Sequence, residues 1–308
     1  MKQAMIIINP SSGKELALEY LRKVEDILHT EAGYDVVVNE TTKELDATNF
    51  CIDACKQEFD LVVSIGGDGT LHETINGLLD QKHRPKLGII PLGTVNDFAR
   101  AMHIPLDPEE AIHTLTSTRR RHVDMARIND QLFANVVAAG SLADALSSVS
   151  SEEKSKLGAF AYFKEGAKEL LSSSKSPLVI THDSGTWEGD APIFIAALTN
   201  SVGGFENLAP DAEVDDGLLH CFIVHDLNFF NTLTAGVSLL FGNLKGHKDV
   251  EYFTATQVTV TSTEPVKTNV DGEAGPELPI KLHILPSHVE VIVPEEADPA
   301  EQADPAEE

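Results

Sequence analysis

Three cysteines in a chain of 308 residues leave little room for redox or thiolate-metal chemistry. Cys51 and Cys55 have the i, i+4 spacing of one helix face, and Cys221 stands alone. None forms the C-x-x-C of a redox or zinc site, so all three read as packed thiols in a reducing compartment. Long apolar runs are missing too. No stretch approaches the about eighteen apolar residues of a membrane-spanning helix. Met1 to Met5 leads straight into a strand without a signal-peptide core, so a cytoplasmic protein with only peripheral membrane contact is expected. Positive charge is scarce: 23 Lys and Arg stand against 49 Asp and Glu, a formal net charge of −26. Seven of the acids lie in the last fourteen residues, and the rest of the chain remains strongly acidic without them. That balance excludes general nucleic-acid binding. It also repels anionic membranes except through local basic patches. The dense basic run, Arg119-Arg120-Arg121-His122, reads either as a solvated inter-domain turn or as a lipid-headgroup contact.

What is present is an ordinary apolar fraction, 42%, in a chain long enough for two domains. The first third alternates strands and helices. Apolar runs at Met5–Ile8, Tyr34–Val38, Leu61–Ile65 and Leu87–Ile90 predict strands. Helical periodicity is read over Lys14–Thr30, Leu45–Phe59 and Leu71–Leu79. Such repeats imply a parallel sheet covered on both faces, with ligands beyond the carboxyl ends of the strands. The loops at those ends, 9–14, 66–70 and 91–97, are the ones rich in Gly, Ser, Thr and Asn.

After the arginine run the pattern changes. Val123–Ile128 and Leu132–Ala138 read as a strand pair around Asn129-Asp130. Short strands follow at Leu178–His182, Thr186–Gly189, Ile193–Thr199, Leu218–Val224, Thr256–Val260 and Leu282–Leu285, suggesting an antiparallel sandwich. Helices are expected near 157–171 and 227–240. Beyond Pro294 an acidic Pro/Ala near-repeat reads as a disordered tail. The expected division is an α/β nucleotide-binding domain over 1–122, a β-rich lipid- and metal-binding domain over 123–294, and a tail over 295–308.

The densest chemical signal is Gly66-Gly67-Asp68-Gly69-Thr70, between a strand and a helix. Glycines there let backbone N–H groups approach a phosphate, and a helix N-terminus behind them favours the anion. A carboxylate inside such a nest makes sense if it carries Mg²⁺ or accepts a proton. Asn9-Pro10-Ser11-Ser12-Gly13-Lys14 is a polar turn after the first strand. Pro91-Leu92-Gly93-Thr94-Val95-Asn96-Asp97-Phe98-Ala99-Arg100 places an N-cap candidate and acid/amide side chains ahead of a helix. Asp211, Glu213, Asp215 and Asp216 precede Gly217 in a turn that reads either as a hard-cation site or as a solvated acidic turn. Asn269-Val270-Asp271-Gly272-Glu273 sets two carboxylates around a turn glycine, the pattern of a hairpin turn or of a site.

Taken in order, these blocks resemble the bacterial diacylglycerol kinase catalytic family, soluble lipid kinases related to sphingosine kinases. The likeness runs from residue 5 to about 293. It implies a phosphofructokinase/NAD kinase-like nucleotide domain followed by an antiparallel β-sandwich domain, with the active site in the cleft between them. ATP is then expected on Asn9, Pro10, Ser11, Ser12, Gly13 and Lys14, on Thr41, on Gly66, Gly67, Asp68, Gly69, Thr70, Leu71 and His72, and on Thr94. By the resemblance Glu273 is the general base, facing the Gly66–Thr70 loop, and Asp68 acts at the reaction centre through Mg²⁺ on the phosphates. A second, structural Mg²⁺ is implied at the Asp216 side chain with main-chain oxygens near Glu213 and Leu218. Asp124, Asn96 and Asp97 are expected to support the site. The expected reaction is phosphorylation of a lipid hydroxyl, diacylglycerol first, with phosphatidylglycerol, a sphingoid base or a polyprenol as other acceptors. A kinase of a small soluble alcohol or of NAD, or a nucleotide-binding regulator without turnover, are the remaining readings. A homodimer is the family's frequent state. Two positions depart from the family pattern: His72 stands where asparagine is common, and Glu165, beside Lys164, where a lysine is often found. Leu239-Leu240-Phe241 and Phe229-Phe230 read either as core or as apolar surface near a lipid slot.

Overall fold

The structure is a computed structural model that describes residues 2–13, 16–140, 175–201, 209, 211–225 and 247–295. The helices expected near 157–171 and 227–240, the aromatic clusters at 229–241, and Lys14, Lys164 and Glu165 lie outside the described residues.

The first half is built as β1 (Lys2–Ile8), α1 (Ala17–Thr30), β2 (Tyr34–Glu40), α2 (Asp46–Lys56), β3 (Leu61–Gly66), α3 (Asp68–Asn76), β4 (Lys86–Pro91), α4 (Asp97–Ala101) and α5 (Pro108–Thr114). The four strands pair in parallel in the order β2-β1-β3-β4. Every residue of β3 is buried, as expected of a strand covered on both faces. The chain reverses its direction of winding at β1, so the loops after β1 and β3 diverge and leave a crevice at the carboxyl edge. α3 begins at Asp68, a full turn earlier than apolar periodicity suggests. Its first residues are the glycine-rich motif itself, which carries little hydrophobic pattern to read.

The second half contributes β5 (Arg120–Ile128), β6 (Gln131–Phe133), β7 (Val136–Gly140), β8 (Ser176–His182), β9 (Gly185–Ala191), β10 (Ile193–Ala197), β11 (Leu219–Val224), β12 (Val250–Ala255), β13 (Gln257–Ser262), β14 (Thr268–Val270), β15 (Glu273–Ala274) and β16 (Ile280–Ile292). A six-stranded antiparallel sheet, β12-β11-β10-β7-β14-β15, packs against β13, β8, β9 and the first part of β16. Phe194, Ala196, Cys221 and Ile223 from one layer meet Ile180, Val258, Val260 and Leu282 from the other. This is the expected sandwich, with Val258 and Val260 of β13 buried between outward-facing neighbours. All three cysteines are free and buried.

Two expectations change. The strand read over Leu132–Ala138 is two strands. β6 stays with β5, while β7 crosses to the six-stranded sheet, with a break at Ala134-Asn135. The last strand, expected to end at Leu285, runs on to Ile292 through a bulge at 286–288. Its far end lies antiparallel to β5 and beside β4, and Val289, Val291 and Ile292 join the core of the first half. The sheet of the α/β half therefore continues into the sandwich without a break. The basic run belongs to this seam: Arg120 and Arg121 are the first residues of β5, not a turn. Among the described residues no helix is long and apolar enough to cross a membrane.

Candidate active site

The carboxyl ends of β1, β2, β3 and β4 carry the loops expected to bind nucleotide. After β1, the Asn9 side chain accepts from the Ser11 N–H and hydroxyl at 3.1 and 2.7 Å, closing the turn on itself. Gly13 (φ +62°) packs against Leu92, and the Thr41 N–H donates to the Ile8 carbonyl. These contacts draw the ends of β1, β2 and β4 together. Thr70 and Leu71 are buried, whereas Thr94 is exposed in the loop after β4.

Gly67 and Gly93 lie back to back. A Cβ on Gly93 would stand 2.8 Å from the Gly67 Cα and 2.6 Å from Asn96 Oδ1, so this approach requires glycine. The close contact brings the start of α4 over the start of α3. Asp68 Oδ2 accepts the Asn96 N–H at 2.8 Å and Oδ1 accepts the Asp97 N–H at 3.0 Å. Asn96, at φ +55°, holds Gly93 with both ends of its amide. Asp97 in turn accepts from Ser201 of the second half at 2.9 Å. Burial pushes the Asp68 carboxyl above its usual range, and the N–H groups of Asn96, Asp97 and Asp68 itself offset this only in part. Three donors leave at least one of about four lone pairs spare, so Asp68 keeps the capacity to hold a cation or accept a further bond.

The second half delivers Glu273. Asp271 (φ +50°) and Gly272 (φ +92°) form a two-residue hairpin between β14 and β15, the geometry that favours Asp-Gly. Glu273 follows directly. Its Oε1 lies 3.5 Å from the position of a Cβ on Gly69, one residue from Asp68. Residues more than two hundred positions apart in the chain thus lie side by side, with the Glu273 side chain exposed.

The Asp271 carboxylate has a different surrounding. Oδ2 accepts the Ala134 N–H at 2.8 Å, and Oδ1 accepts those of Asn135 and Val136 at 2.9 Å each. His72 Nδ1 lies 3.3 Å from Oδ2, with both side chains largely buried. Asn76, one turn further along α3, donates to the Leu132 carbonyl at 3.1 Å and accepts the Leu132 N–H at 2.8 Å. Burial lowers the His72 pKa, but the bond to Asp271 and the charges of Asp271, Glu273 and Glu73 outweigh it, and the net shift is upward. Asp271 and Asn76 were not foreseen in these roles; their partners are main-chain groups on a distant strand. The His72 imidazole, an anticipated nucleotide contact, is turned to Asp271 and Asn76.

The acidic turn forms its own constellation. Asp216 Oδ2 accepts the Glu213 N–H at 3.1 Å and faces His220 Nε2 at 2.8 Å; Oδ1 accepts the Leu218 N–H at 2.8 Å. His220 Nδ1 meets the Tyr252 hydroxyl at 2.7 Å. Burial works against ionisation of Asp216, but His220 and the two N–H groups hold its pKa below the usual range. Asp124, itself buried, accepts the Gly217 N–H at 2.6 Å and the Ser287 N–H at 2.7 Å, tying this turn to the bulge in β16. Arg121 pairs with Asp215 at 3.0 Å. Among the described residues no three His, Cys, Asp or Glu side chains converge as a metal cage. Asp216 Oδ1 keeps one spare lone pair, while the Glu213 and Val214 carbonyls of the turn accept from the Asp216 and Asp124 N–H groups.

An α/β domain with a strand-end glycine loop, followed by a β-sandwich that brings a second carboxylate beside it, has the NAD kinase-like fold. Residues 3–128 match the diacylglycerol kinase catalytic domain, and residues 135–293 match the YegS C-terminal NAD kinase beta sandwich-like domain. The diacylglycerol kinase of Bacillus subtilis (strain 168) is 38% identical over 305 residues, covering 99% of this chain and 100% of the relative. That of Staphylococcus haemolyticus is 38% identical over 297 residues, 96% of this chain and 89% of the relative. A crystal structure of a diacylglycerol kinase from Bacillus anthracis str. Sterne superposes with a TM-score of 0.78 at 28% identity, covering 97% and 98% of the two chains. A yeast NADH kinase complexed with NADH shares the fold at 13% identity and a TM-score of 0.53, covering 97% of this chain and 85% of its own. The chain belongs to the diacylglycerol kinase family and is a lipid kinase.

Proposed function

We propose that the protein transfers the γ-phosphoryl group of ATP to the hydroxyl of diacylglycerol, giving phosphatidic acid, in a cleft between an α/β lobe (1–122) and a β-rich lobe (123–294). The observation that carries this reading is the Glu273 carboxylate lying beside Gly69, one residue from Asp68. The lipid hydroxyl attacks the γ-phosphorus as Glu273 takes its proton. The new O–P bond forms as the β–γ bridging P–O bond breaks, and ADP leaves with the electron pair. A positioned base contributes about 10²–10⁴-fold. Most of the remaining acceleration comes from alignment and from dispersing the phosphoryl charge. The free N–H groups at the start of α3 and the glycine backbone after β3 suit the phosphates. Asp68, through its spare lone pair, would hold the Mg²⁺ that neutralises phosphate charge in such reactions. Asp216, with the carbonyls of Glu213 and Leu218, would hold a structural Mg²⁺. The enzyme would meet its substrate peripherally, at the membrane surface.

The test is incubation with Mg²⁺-ATP labelled at the γ-position and diacylglycerol, phosphatidylglycerol, a sphingoid base, a polyprenol or NAD, the lipids in mixed micelles. Label in phosphatidic acid is expected. Label in NAD alone, or transfer that needs no lipid, would overturn the reading.

A further inference from the structure

Asp68, His72 and Asn76 stand at i, i+4 and i+8 on α3 and so share one face of the helix. The first belongs to the proposed reaction centre. The second and third are bound to the β-rich half, His72 through Asp271 and Asn76 through the main chain of Leu132. We propose that Asp271 is the positioning residue that sets Glu273 against Asp68, with His72 as its anchor on α3. This rests on the reading of Glu273 as the base.

Three observations carry it. A carboxylate offers about four lone-pair sites, and at Asp271 all four are occupied: three by main-chain N–H groups and one by His72. Nothing remains for a metal or a substrate, so Asp271 acts through what it holds. What it holds is the break between β6 and β7, the point where the chain leaves the sheet of the α/β half for the sandwich. Its own N–H donates to the Val136 carbonyl at 2.9 Å, so the hairpin is gripped from main chain and side chain together. Glu273 is two residues away, and the intervening turn is a tight one. A shift of Asp271 relative to α3 therefore carries the main chain of Glu273 with it, and with that the point from which its carboxylate reaches toward Gly69 and Asp68.

The ring is held at both nitrogens. With Nδ1 protonated, His72 donates to Asp271 while Nε2 accepts from the Asn76 amide, whose oxygen is itself taken by the Leu132 N–H.

Steady-state kinetics and melting temperatures of H72L, H72N, D271N and E273Q, measured across pH on the full chain, test this. H72L should lower kcat about tenfold with KM for ATP within about twofold, because displaced reacting groups cost rate rather than ground-state binding. H72N, whose amide still donates to Asp271, should recover turnover relative to H72L. D271N should fall further than H72L, since an amide NH₂ replaces an acceptor among N–H donors; if it does not fold, the two His72 variants decide. The proposal is overturned if folded H72L matches the wild type in kcat, or if KM for ATP moves instead of kcat. A wild-type kcat in E273Q would instead remove the base assignment and this proposal with it. Impaired E273Q beside unimpaired H72L would remove this proposal alone.

Discussion

Replacing Gly93 by alanine probes the joint on which the Asp68 cradle depends. The added methyl would stand 2.8 Å from the Gly67 Cα, 2.6 Å from Asn96 Oδ1 and 3.4 Å from the Asp68 nitrogen. Carbon atoms in contact sit at about 3.5–4.0 Å, so the two loops must part by about 0.7–1.2 Å. Backbone cannot swing aside as a side chain would, and overpacking of this kind costs about 1–3 kcal/mol. The two Asn96–Gly93 hydrogen bonds are strained as well, each contributing about 1 kcal/mol net. A loss of about 2–4 kcal/mol follows, or a fall in Tm of about 6–12 °C at roughly 3 °C per kcal/mol. Turnover should drop by up to ~10²-fold, because the N–H groups on Asp68 move with Asn96 and Asp97. Gly69→Ala is the control. Its methyl would meet only Glu273 Oε1, at 3.5 Å, and alanine is favoured over glycine inside a helix by about 1 kcal/mol. G69A should melt no lower than the wild type, since its methyl makes only an ordinary contact with the carboxylate. Circular dichroism melting with kinetics on micellar diacylglycerol reads both. A G93A protein melting within about 1 °C of the wild type would refute the close-packing argument.

Asp68→Asn should abolish turnover in a folded protein, as seen by melting and by label transfer; near wild-type kcat would contradict its place at the reaction centre. Asp216→Ala should lower the melting temperature, because Glu213, Leu218 and His220 lose their shared acceptor. It should also remove any stabilisation the wild type gains from Mg²⁺, a mass-action effect that calorimetry with and without the ion detects. The raised His72 pKa gives a stability term fully present below the unfolded imidazole value and lost as pH rises through the folded one. Melting from about pH 6.5 upward should therefore fall more steeply in the wild type than in H72N. Truncation after Glu295 should leave stability and turnover intact, whereas truncation after Pro294 should lower Tm. Glu295 accepts from the Ser117 hydroxyl and from the Thr118 N–H and hydroxyl, so it is tied to the folded body.

The parallel sheet was legible because its strands are short apolar runs closed by Gly, Pro or Asn, a signal carried within each segment. The Asp-Gly hairpin was legible for the same reason: positive φ at two adjacent positions selects those residues. What escaped depends on distant partners. Nothing in Ala134-Asn135 marks the end of a strand; the break is made by Asp271, more than a hundred positions away. Pro286, Ser287 and His288 look like the end of a strand, yet β16 continues because Asp124 takes the Ser287 N–H at the bulge. The acidic turn was ambiguous in sequence, and its residues divide: Asp215 pairs at the surface with Arg121, while Asp216 is drawn to His220. His72 was visible only as a departure from a family pattern, and its bond to Asp271 is what gives it meaning.

The most direct test of the account is the Glu273→Gln protein, measured for ATP affinity by equilibrium binding and for phosphoryl transfer to diacylglycerol at saturating ATP. The account predicts wild-type melting, wild-type ATP affinity and a kcat lower by about 10²-fold or more, the loss expected when a base is replaced by its amide. Transfer at the wild-type rate by E273Q, in a wild type that phosphorylates diacylglycerol, would contradict it.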